Sequence, residues 1–415
     1  MIILLSVTFI LFILVHQFWW RRQGYPNGPL PLPIVGNIHQ FAFHKRWEDK
    51  LVEFKEQYGS VYTLFLGPIP VITINDYDTC VQLFAKEGDI YSNRPTLQHF
   101  NQITRNGTYG LGQTNGQQWL EQRRAVLRIL KDFGLGKNQM QERILDEIHT
   151  ICDNLNNELK KGVVEHNINQ YTDIAIGSVI NSLICGYRFT TNNKASEFEH
   201  LKHWSDRFTH LITDPITSMG IYSERLSRWP LIRNKITDLR EVFDELFSFV
   251  DRAIEEHKAH NDYEHTEDKQ AKIHDELNRV IGSDRTISMS DRFNLPYLNA
   301  AINEAQRCSA LPVFNVPHAL AKDANLNGYN LKKETIIFPQ ISTIMKDPAN
   351  FPSPNNFYPE RFIDSNGQLF NTEKVVSFSI GKRSCPGEGL ARMELFLLTA
   401  NLLNQYKVSF NQRKF

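Results

Sequence analysis

One cysteine of the sequence lies in a setting that favours a thiolate ligand. Cys385 ends the stretch Phe378-Ser-Ile-Gly-Lys-Arg-Ser-Cys, is followed by Pro-Gly387, and precedes an apolar helical run from Leu390 to Leu403. A thiolate near a helix N-terminus is stabilised by the helix dipole and by free backbone N–H groups. An axial thiolate ligand of haem iron needs such a setting. The alternative is a buried structural cysteine beside a glycine-rich turn.

The spacing F-x-x-G-x-R-x-C-x-G resembles the cysteine-ligand loop of the cytochrome P-450 family, the haem-thiolate monooxygenases. The resemblance implies that haem b is the cofactor and that Cys385 binds its iron. It also implies that Phe378 and Gly387 form part of the haem-binding loop. Within the same loop, Arg383 is expected to bind a haem propionate.

A second pair of residues has the spacing of one helix face. Trp119 and Arg123 are separated by four positions, and taken alone they could form a cation–π or packing pair. In the family that the sequence resembles, W-x-x-x-R donates its indole N–H and guanidinium to a haem propionate. The resemblance implies the same role here, and it adds His318 and Arg94 as further propionate partners.

Three charged residues could support the cysteine loop without taking part in chemistry. Glu304 and Arg307 are three positions apart on a predicted helix, a pattern that is usually a solvated surface pair. Arg361 follows in the stretch Phe357-Tyr-Pro-Glu-Arg-Phe. This order resembles the buried Glu–Arg–Arg network of the family, in which guanidinium groups bind the carboxylate in a bidentate manner.

The order of these motifs resembles the microsomal, drug- and lipid-oxidising branch of the family. Such an enzyme inserts one atom of dioxygen into a lipophilic small molecule of the xenobiotic, fatty acid or steroid class. The resemblance implies that electrons come from NADPH through a reductase, with cytochrome b5 as a further candidate partner. We predict no nucleic-acid partner, because the 415 residues carry a formal net charge of zero.

The amino terminus predicts a membrane anchor. Residues 1–20 are almost all apolar, and Arg21 and Arg22 follow directly after two tryptophans. Twenty helical residues span about 30 Å, the thickness of a bilayer core. The positive-inside rule then places the remaining chain in the cytosol, which predicts a single-pass protein of the endoplasmic reticulum membrane. Residues 21–37 form a basic and Pro/Gly-rich segment, either an ordinary rigid linker or the family's membrane hinge.

Residues 38–415 predict an α+β domain, mainly helical, with the large helical part and small β-rich part of a cytochrome P-450-like fold. Paired strands are expected at Ser60–Leu66 and Ile69–Asn75, and strand-like segments return at Val313–Leu320 and Thr335–Pro339. The five cysteines lack C-x-x-C spacing, which argues against a disulfide scaffold.

The sequence departs from the family pattern at its centre. It contains no A/G-G-x-D/E-T-T motif, so no catalytic acid or threonine can be identified. The resemblance implies an internal deletion near 267–269, where roughly sixty residues are absent, including a helix of about 30 residues and about 45 Å. The C-terminal hairpin of the family is also absent before Phe415. The predicted fold is therefore incomplete.

Three functions remain open at this point. The chain could be a membrane-anchored monooxygenase, or a catalytically inactive truncated isoform or gene-model product of such an enzyme. A membrane-tethered helical adaptor is the third possibility, in which the Cys385 loop would be only a turn.

Overall fold

The computed structural model describes most of the chain between residues 19 and 408. The described residues are 12, 15–16, 19–33, 35–41, 47–96, 98–105, 107–132, 138–166, 168–184, 188–189, 195–214, 217, 220–221, 224–253, 267–282, 285–309 and 315–408. Most of the predicted anchor 1–20 lies outside these residues. Within them, no helix combines the length and apolar character needed to cross a bilayer.

Helices form most of the described structure. In chain order they are α1 (Trp47–Tyr58), α2 (Tyr77–Cys80), α3 (Gly88–Tyr91), α4 (Gln98–Arg105), α5 (Gly116–Asp132), α6 (Asn138–Lys160), α7 (Ile168–Ile184), α8 (Ala195–Thr213), α9 (Glu224–Ser227), α10 (Pro230–Ala253), α11 (Glu267–Val280), α12 (Pro296–Ser309), α13 (Ile341–Met345) and α14 (Glu388–Gln405). The strands are β1 (Val61–Leu66), β2 (Ile69–Ile74), β3 (His318–Ala319), β4 (Ala324–Leu326), β5 (Tyr329–Leu331) and β6 (Ile336–Pro339).

The small sheet has the strand order β1-β2-β6-β3. Strands β1 and β2 are antiparallel across the turn at Gly67-Pro68, β2 runs parallel to β6, and β3 is antiparallel to β6. Aliphatic and aromatic residues with high strand propensity fill β1, β2 and β6. The pairing confirms the predicted strands around 60–66, 69–75 and 335–339. Of the predicted segment Val313–Leu320, residues 313–314 lie outside the described residues and only His318–Ala319 pair as a strand, with His318 opposite Ile337.

The separate hairpin β4–β5 was not predicted. Its turn residues Asn327 and Gly328 both have positive φ, at 50° and 87°. An Asn-Gly pair between two short strands is a strong signal for a two-residue hairpin turn, and it was present in the sequence.

Two of the hydrophobic cores are formed mainly by helices. The larger core contains buried residues of α6, α7, α11, α12 and α14, and the smaller one is formed by residues of α4, α8 and α10 with Ile221. Helix α6 contributes through a stripe at helical spacing. The stripe consists of Met140, Ile144, Ile148, Ile151 and Leu155. The observed architecture confirms a mainly helical α+β fold with a small sheet.

The predicted hinge packs on the sheet. Asn37 forms two hydrogen bonds with Phe65 of β1, each 2.7 Å, through its backbone N–H and its side-chain oxygen. A Cβ atom added to Gly36 would lie 2.0 Å from the Phe65 carbonyl oxygen, so only glycine fits at this close approach. The Pro/Gly-rich segment is therefore anchored to the folded domain at its C-terminal end.

Candidate haem site

The Cys385 loop is a tight backbone turn directly before helix α14. Its backbone N–H donates to the carbonyl of Phe378 at 2.9 Å, and the N–H of Ser384 donates to Gly381 at 3.0 Å. Gly381 has φ of +80°, and an added Cβ would lie 1.9 Å from the Phe84 carbonyl oxygen. The loop therefore requires glycine at this position, and it holds the exposed Cys385 thiol two residues before the N-cap Gly387.

The remaining two loop residues of the motif lie next to the cysteine. A Cβ added to Gly387 would be in ordinary contact with the Cys385 sulfur, at 3.8 Å. The ring of Phe378 lies 5.3 Å from the Arg392 guanidinium carbon on the following helix. The sequence-predicted residues Phe378 and Gly387 are thus brought together with Cys385.

Helix α5 brings Trp119 and Arg123 to this loop. Arg123 Nη2 donates to the carbonyl oxygen of Ser384, the residue before Cys385, at 2.9 Å. The Arg383 guanidinium carbon lies 3.8 Å from the centre of the Trp119 ring, and that of Arg123 lies 5.8 Å from it. The indole ring of the predicted W-x-x-x-R pair therefore contacts two of the predicted propionate partners.

Arg94 and Arg383 are both held by backbone carbonyl oxygens. Arg94 donates to Pro317 O at 2.9 Å, next to His318, while Arg383 donates to Ser92 O and Thr114 O at 2.8 Å each. These bonds fix the two guanidinium groups in a buried position. The predicted partner Arg94 therefore belongs to the same cluster as Arg383.

His318 completes the cluster from strand β3. Its ring Nδ1 lies 2.8 Å from Tyr91 O, and its ring contacts Phe84 edge-on at 4.6 Å. Burial, together with the positive charges of Arg94 and Arg383, lowers the pKa of His318 to about 3. The imidazole is therefore neutral at pH 7.

Asn115 links the two buried arginines and was not predicted. Its side-chain oxygen accepts from the Arg94 backbone N–H at 2.6 Å and from Arg383 Nη2 at 3.0 Å. Its side-chain amide donates to the Arg94 carbonyl at 2.8 Å. An asparagine directly before the Gly116 start of helix α5 reads as an ordinary N-cap, so the sequence carried no signal for this role.

The cluster has the electrostatics of an anion site. Burial lowers the pKa of Arg383 to about 9, and the charges of Arg94 and Arg123 contribute to the decrease. Burial, together with the charge of Arg123, lowers the pKa of Arg94 to about 10. Within the described part of the chain, no carboxylate oxygen lies within 4.0 Å of these three guanidinium groups. Positive charges that share a buried site favour a bound anion.

The residues present fit a haem group. The buried indole Nε1–H of Trp119 has no hydrogen-bond partner among the described residues, although buried donors are normally paired. This N–H, the three guanidinium groups and His318 suit a ligand with two carboxylates. The Cys385 sulfur lies in the loop to which Arg123 is bonded, where it could serve as a thiolate ligand.

The predicted Glu–Arg–Arg network is formed between helix α12 and the turn that contains Arg361. Arg307 donates to both Glu304 oxygens, from Nε at 2.8 Å and from Nη2 at 2.9 Å, while Arg361 Nε donates to Glu304 Oε1 at 3.1 Å. Glu304 and Arg307 are fully buried. Arg307 Nη1 also donates to Met345 O at 2.9 Å, which ties helix α12 to α13.

Comparison with known proteins agrees with this geometry. The family model described as Cytochrome P-450 matches residues 26–269 and 265–414. The chain belongs to the cytochrome P-450 family. Cytochrome P-450 2H1 of Gallus gallus is 30% identical over 461 residues, which cover 98% of this chain and 92% of that protein. Cytochrome P-450 2A9 of Mesocricetus auratus is 28% identical over 471 residues, which cover 99% of this chain and 94% of that protein.

These matches confirm the family and the branch that the sequence resembles. Since its members are haem-thiolate monooxygenases of lipophilic substrates, this P-450 chain is such an enzyme by family, with haem as cofactor. The 471-residue alignment is longer than the 415 residues of the chain, so at least 56 aligned positions contain no residue of it. The two family matches meet at 265–269. Residues 254–266 lie outside the described residues, and α11 is continuous from Glu267.

Proposed function

We propose that the chain binds haem through the Cys385 thiolate. Bound haem supplies the redox-active iron at which dioxygen is reductively cleaved. The propionate groups would be held by Trp119, Arg123, His318, Arg383 and Arg94. Glu304, Arg307 and Arg361 would support the loop and take no part in chemistry.

The unpartnered indole N–H of Trp119 carries this proposal. The indole N–H is buried, and the Trp119 ring lies beside the guanidinium groups of Arg383 and Arg123, of which Arg123 is bonded to the cysteine loop. A dicarboxylate ligand would accept hydrogen bonds from the indole and from the guanidinium groups, which relieves both the missing hydrogen bond and the shared positive charge. In an adaptor, where Cys385 would be only a structural residue beside a turn, no ligand would pair with the indole N–H of Trp119 and the guanidinium groups.

We further propose that the electrons come from an NADPH-dependent reductase, with cytochrome b5 as a second donor, and that the substrate is a lipophilic small molecule. The protein would be anchored in the endoplasmic reticulum membrane by residues 1–20, with its folded domain in the cytosol. The apolar run that ends at Trp20 and the following Arg21 and Arg22 support this orientation.

A second function is favoured by the two-part family match. We infer that the segment that would carry the distal acid and threonine is missing near 267–269, since the sequence contains no A/G-G-x-D/E-T-T motif and the alignment with the Mesocricetus auratus relative is longer than the chain. A form without these groups can bind haem but has no local route for the protons that dioxygen cleavage consumes. This form would be a non-catalytic product of a monooxygenase gene.

One experiment separates the functions. The purified full chain is reduced, exposed to carbon monoxide and compared with its Cys385→Ser variant. A strongly red-shifted Soret band that disappears in the variant supports thiolate ligation, whereas the absence of any haem band overturns it. Product formation with reductase and NADPH then distinguishes a monooxygenase from the non-catalytic form.

A further inference from the structure

Two carboxylates connect helix α11 to the segments that carry the Glu304–Arg307–Arg361 network. The first, Glu276, accepts from the backbone N–H groups of Tyr297 and Leu298 at 2.8 Å each. These are among the first four N–H groups of α12, which have no partner within their own helix. Glu276 is only 5% exposed, so a side chain of α11 caps the helix that carries Glu304.

The second carboxylate, Glu360, lies next to Arg361 in the turn Pro359–Phe362. It accepts from Lys269 Nζ at 3.3 Å, from Lys272 Nζ and from Tyr297 Oη at 3.1 Å. Burial alone would raise its pKa, but these hydrogen bonds outweigh that effect and lower the pKa of Glu360 to about 2. The carboxylate is therefore ionised at neutral pH.

The two contacts converge on the buried network. Lys269 Nζ lies 5.5 Å from the centre of the Tyr358 ring, and the Arg361 guanidinium carbon lies 5.7 Å from it. The backbone N–H of Tyr358 donates to Glu304 Oε1 at 2.8 Å. Helix α11 thus contacts both segments that Glu304 joins, helix α12 and the segment that carries Tyr358 and Arg361.

A short path connects this network to the cysteine. Ser377 Oγ donates to the carbonyl oxygen of Gln306 on α12 at 3.4 Å, and the next residue, Phe378, accepts from the Cys385 N–H at 2.9 Å. A shift of α12 would therefore move the backbone on which the cysteine turn closes.

We propose that Glu276 and Glu360 are positioning residues that act through Glu304 and Arg361 to hold the Cys385 loop in its ligating conformation. The proposal rests on the proposed role of Cys385 as iron ligand. It gives helix α11, which begins where the two family matches meet, a function in the haem site.

Hydrogen exchange of the full chain, followed by mass spectrometry, tests the proposal without haem. In Glu276→Gln the side-chain amide faces two N–H donors with one acceptor, and in Glu360→Gln the charge that binds the two lysines is lost. Exchange in the 378–387 peptide should rise roughly threefold to tenfold in either variant. Exchange in the peptide 61–74 should stay unchanged, whereas a global loss of stability would raise both. Tyr297→Phe, which removes a single bond to Glu360, is a milder variant should the others fail to fold.

The matched control is Asp323→Asn, which breaks an exposed carboxylate–lysine pair with Lys332 far from α11 in sequence. It should leave the 378–387 peptide unchanged. Equal exchange of that peptide in the parent and in the Glu276→Gln, Glu360→Gln and Tyr297→Phe variants would overturn the proposal. In the carbon monoxide spectrum, the variants should lose part of the red-shifted band that the parent shows. A parent without a haem band would refute the proposed function and leave the exchange result as the test of this inference.

Discussion

The buried carboxylate of Glu304 offers the sharpest test of the site's support. In Glu304→Gln the side chain keeps its volume and loses its charge. The carboxylate accepts two hydrogen bonds from Arg307 and one each from Arg361, the Tyr358 backbone N–H and the Cys308 thiol. The NH2 group of the glutamine side chain cannot accept a hydrogen bond, so at least one donor remains unpaired and the guanidinium groups lose their counter-charge.

The expected loss of unfolding free energy follows from burial. Glu304 and Arg307 are both fully buried, and removing one partner of a buried ion pair costs about 3–5 kcal/mol. A domain has only about 5–15 kcal/mol of total stability, so the effect would consume a large part of it. Urea unfolding of the full chain, followed by far-UV circular dichroism, should show a lower midpoint at an unchanged slope.

Helix α14 provides the matched control. Glu388 and Arg392 also form a Glu–Arg pair on one helix, at 2.8 Å, but their side chains are 39% and 25% exposed. Glu388→Gln should therefore change stability by less than about 0.5 kcal/mol. The reasoning is refuted if Glu304→Gln costs less than about 1 kcal/mol or no more than Glu388→Gln.

Two further predictions concern buried polar groups. Burial raises the pKa of Glu394 to about 8, whereas a glutamate in the unfolded chain has a pKa of about 4.3. Between these two pH values the folded chain keeps a proton that the unfolded chain has released. The free energy of unfolding should therefore fall as the pH rises from about 4.3 to about 8. Urea titrations at several pH values should show that the free energy of unfolding of Glu394→Gln depends less on pH than that of the parent, and that the variant is more stable than the parent at pH 7.5. An unchanged pH dependence in the variant would contradict this prediction. Trp119→Phe removes one donor from a charged carboxylate and should weaken haem binding by about 10- to 100-fold in a spectroscopic titration. Substituting the half-exposed Trp229 by Phe should have no effect, and equal affinities of both variants would contradict the assignment.

Much of the fold could be predicted because local patterns determine it. Strands β1 and β2 pair across the Gly67-Pro68 turn, and the apolar run after Cys385 is helix α14 as expected. In each case neighbouring residues carry the signal.

The site was predicted through motifs, and its supporting contacts were not. Spacing of one helix turn identified Trp119 and Arg123, since both face one side of α5. The contacts of Asn115, Glu276 and Glu360 join residues that are distant in the sequence and belong to no recognisable motif. A single carboxylate on an amphipathic helix gives no sign of whether it caps another helix, so such contacts need the tertiary structure.

The central claim is that Cys385 and the cluster around Trp119 form a haem-thiolate site in this 415-residue chain. The most direct measurement is the carbon monoxide difference spectrum of the reduced full chain reconstituted with haem, beside Cys385→Ser. The account predicts the strongly red-shifted Soret band of thiolate ligation in the parent and its loss in the variant. A parent spectrum without that band, or a band that persists in Cys385→Ser, would contradict the claim.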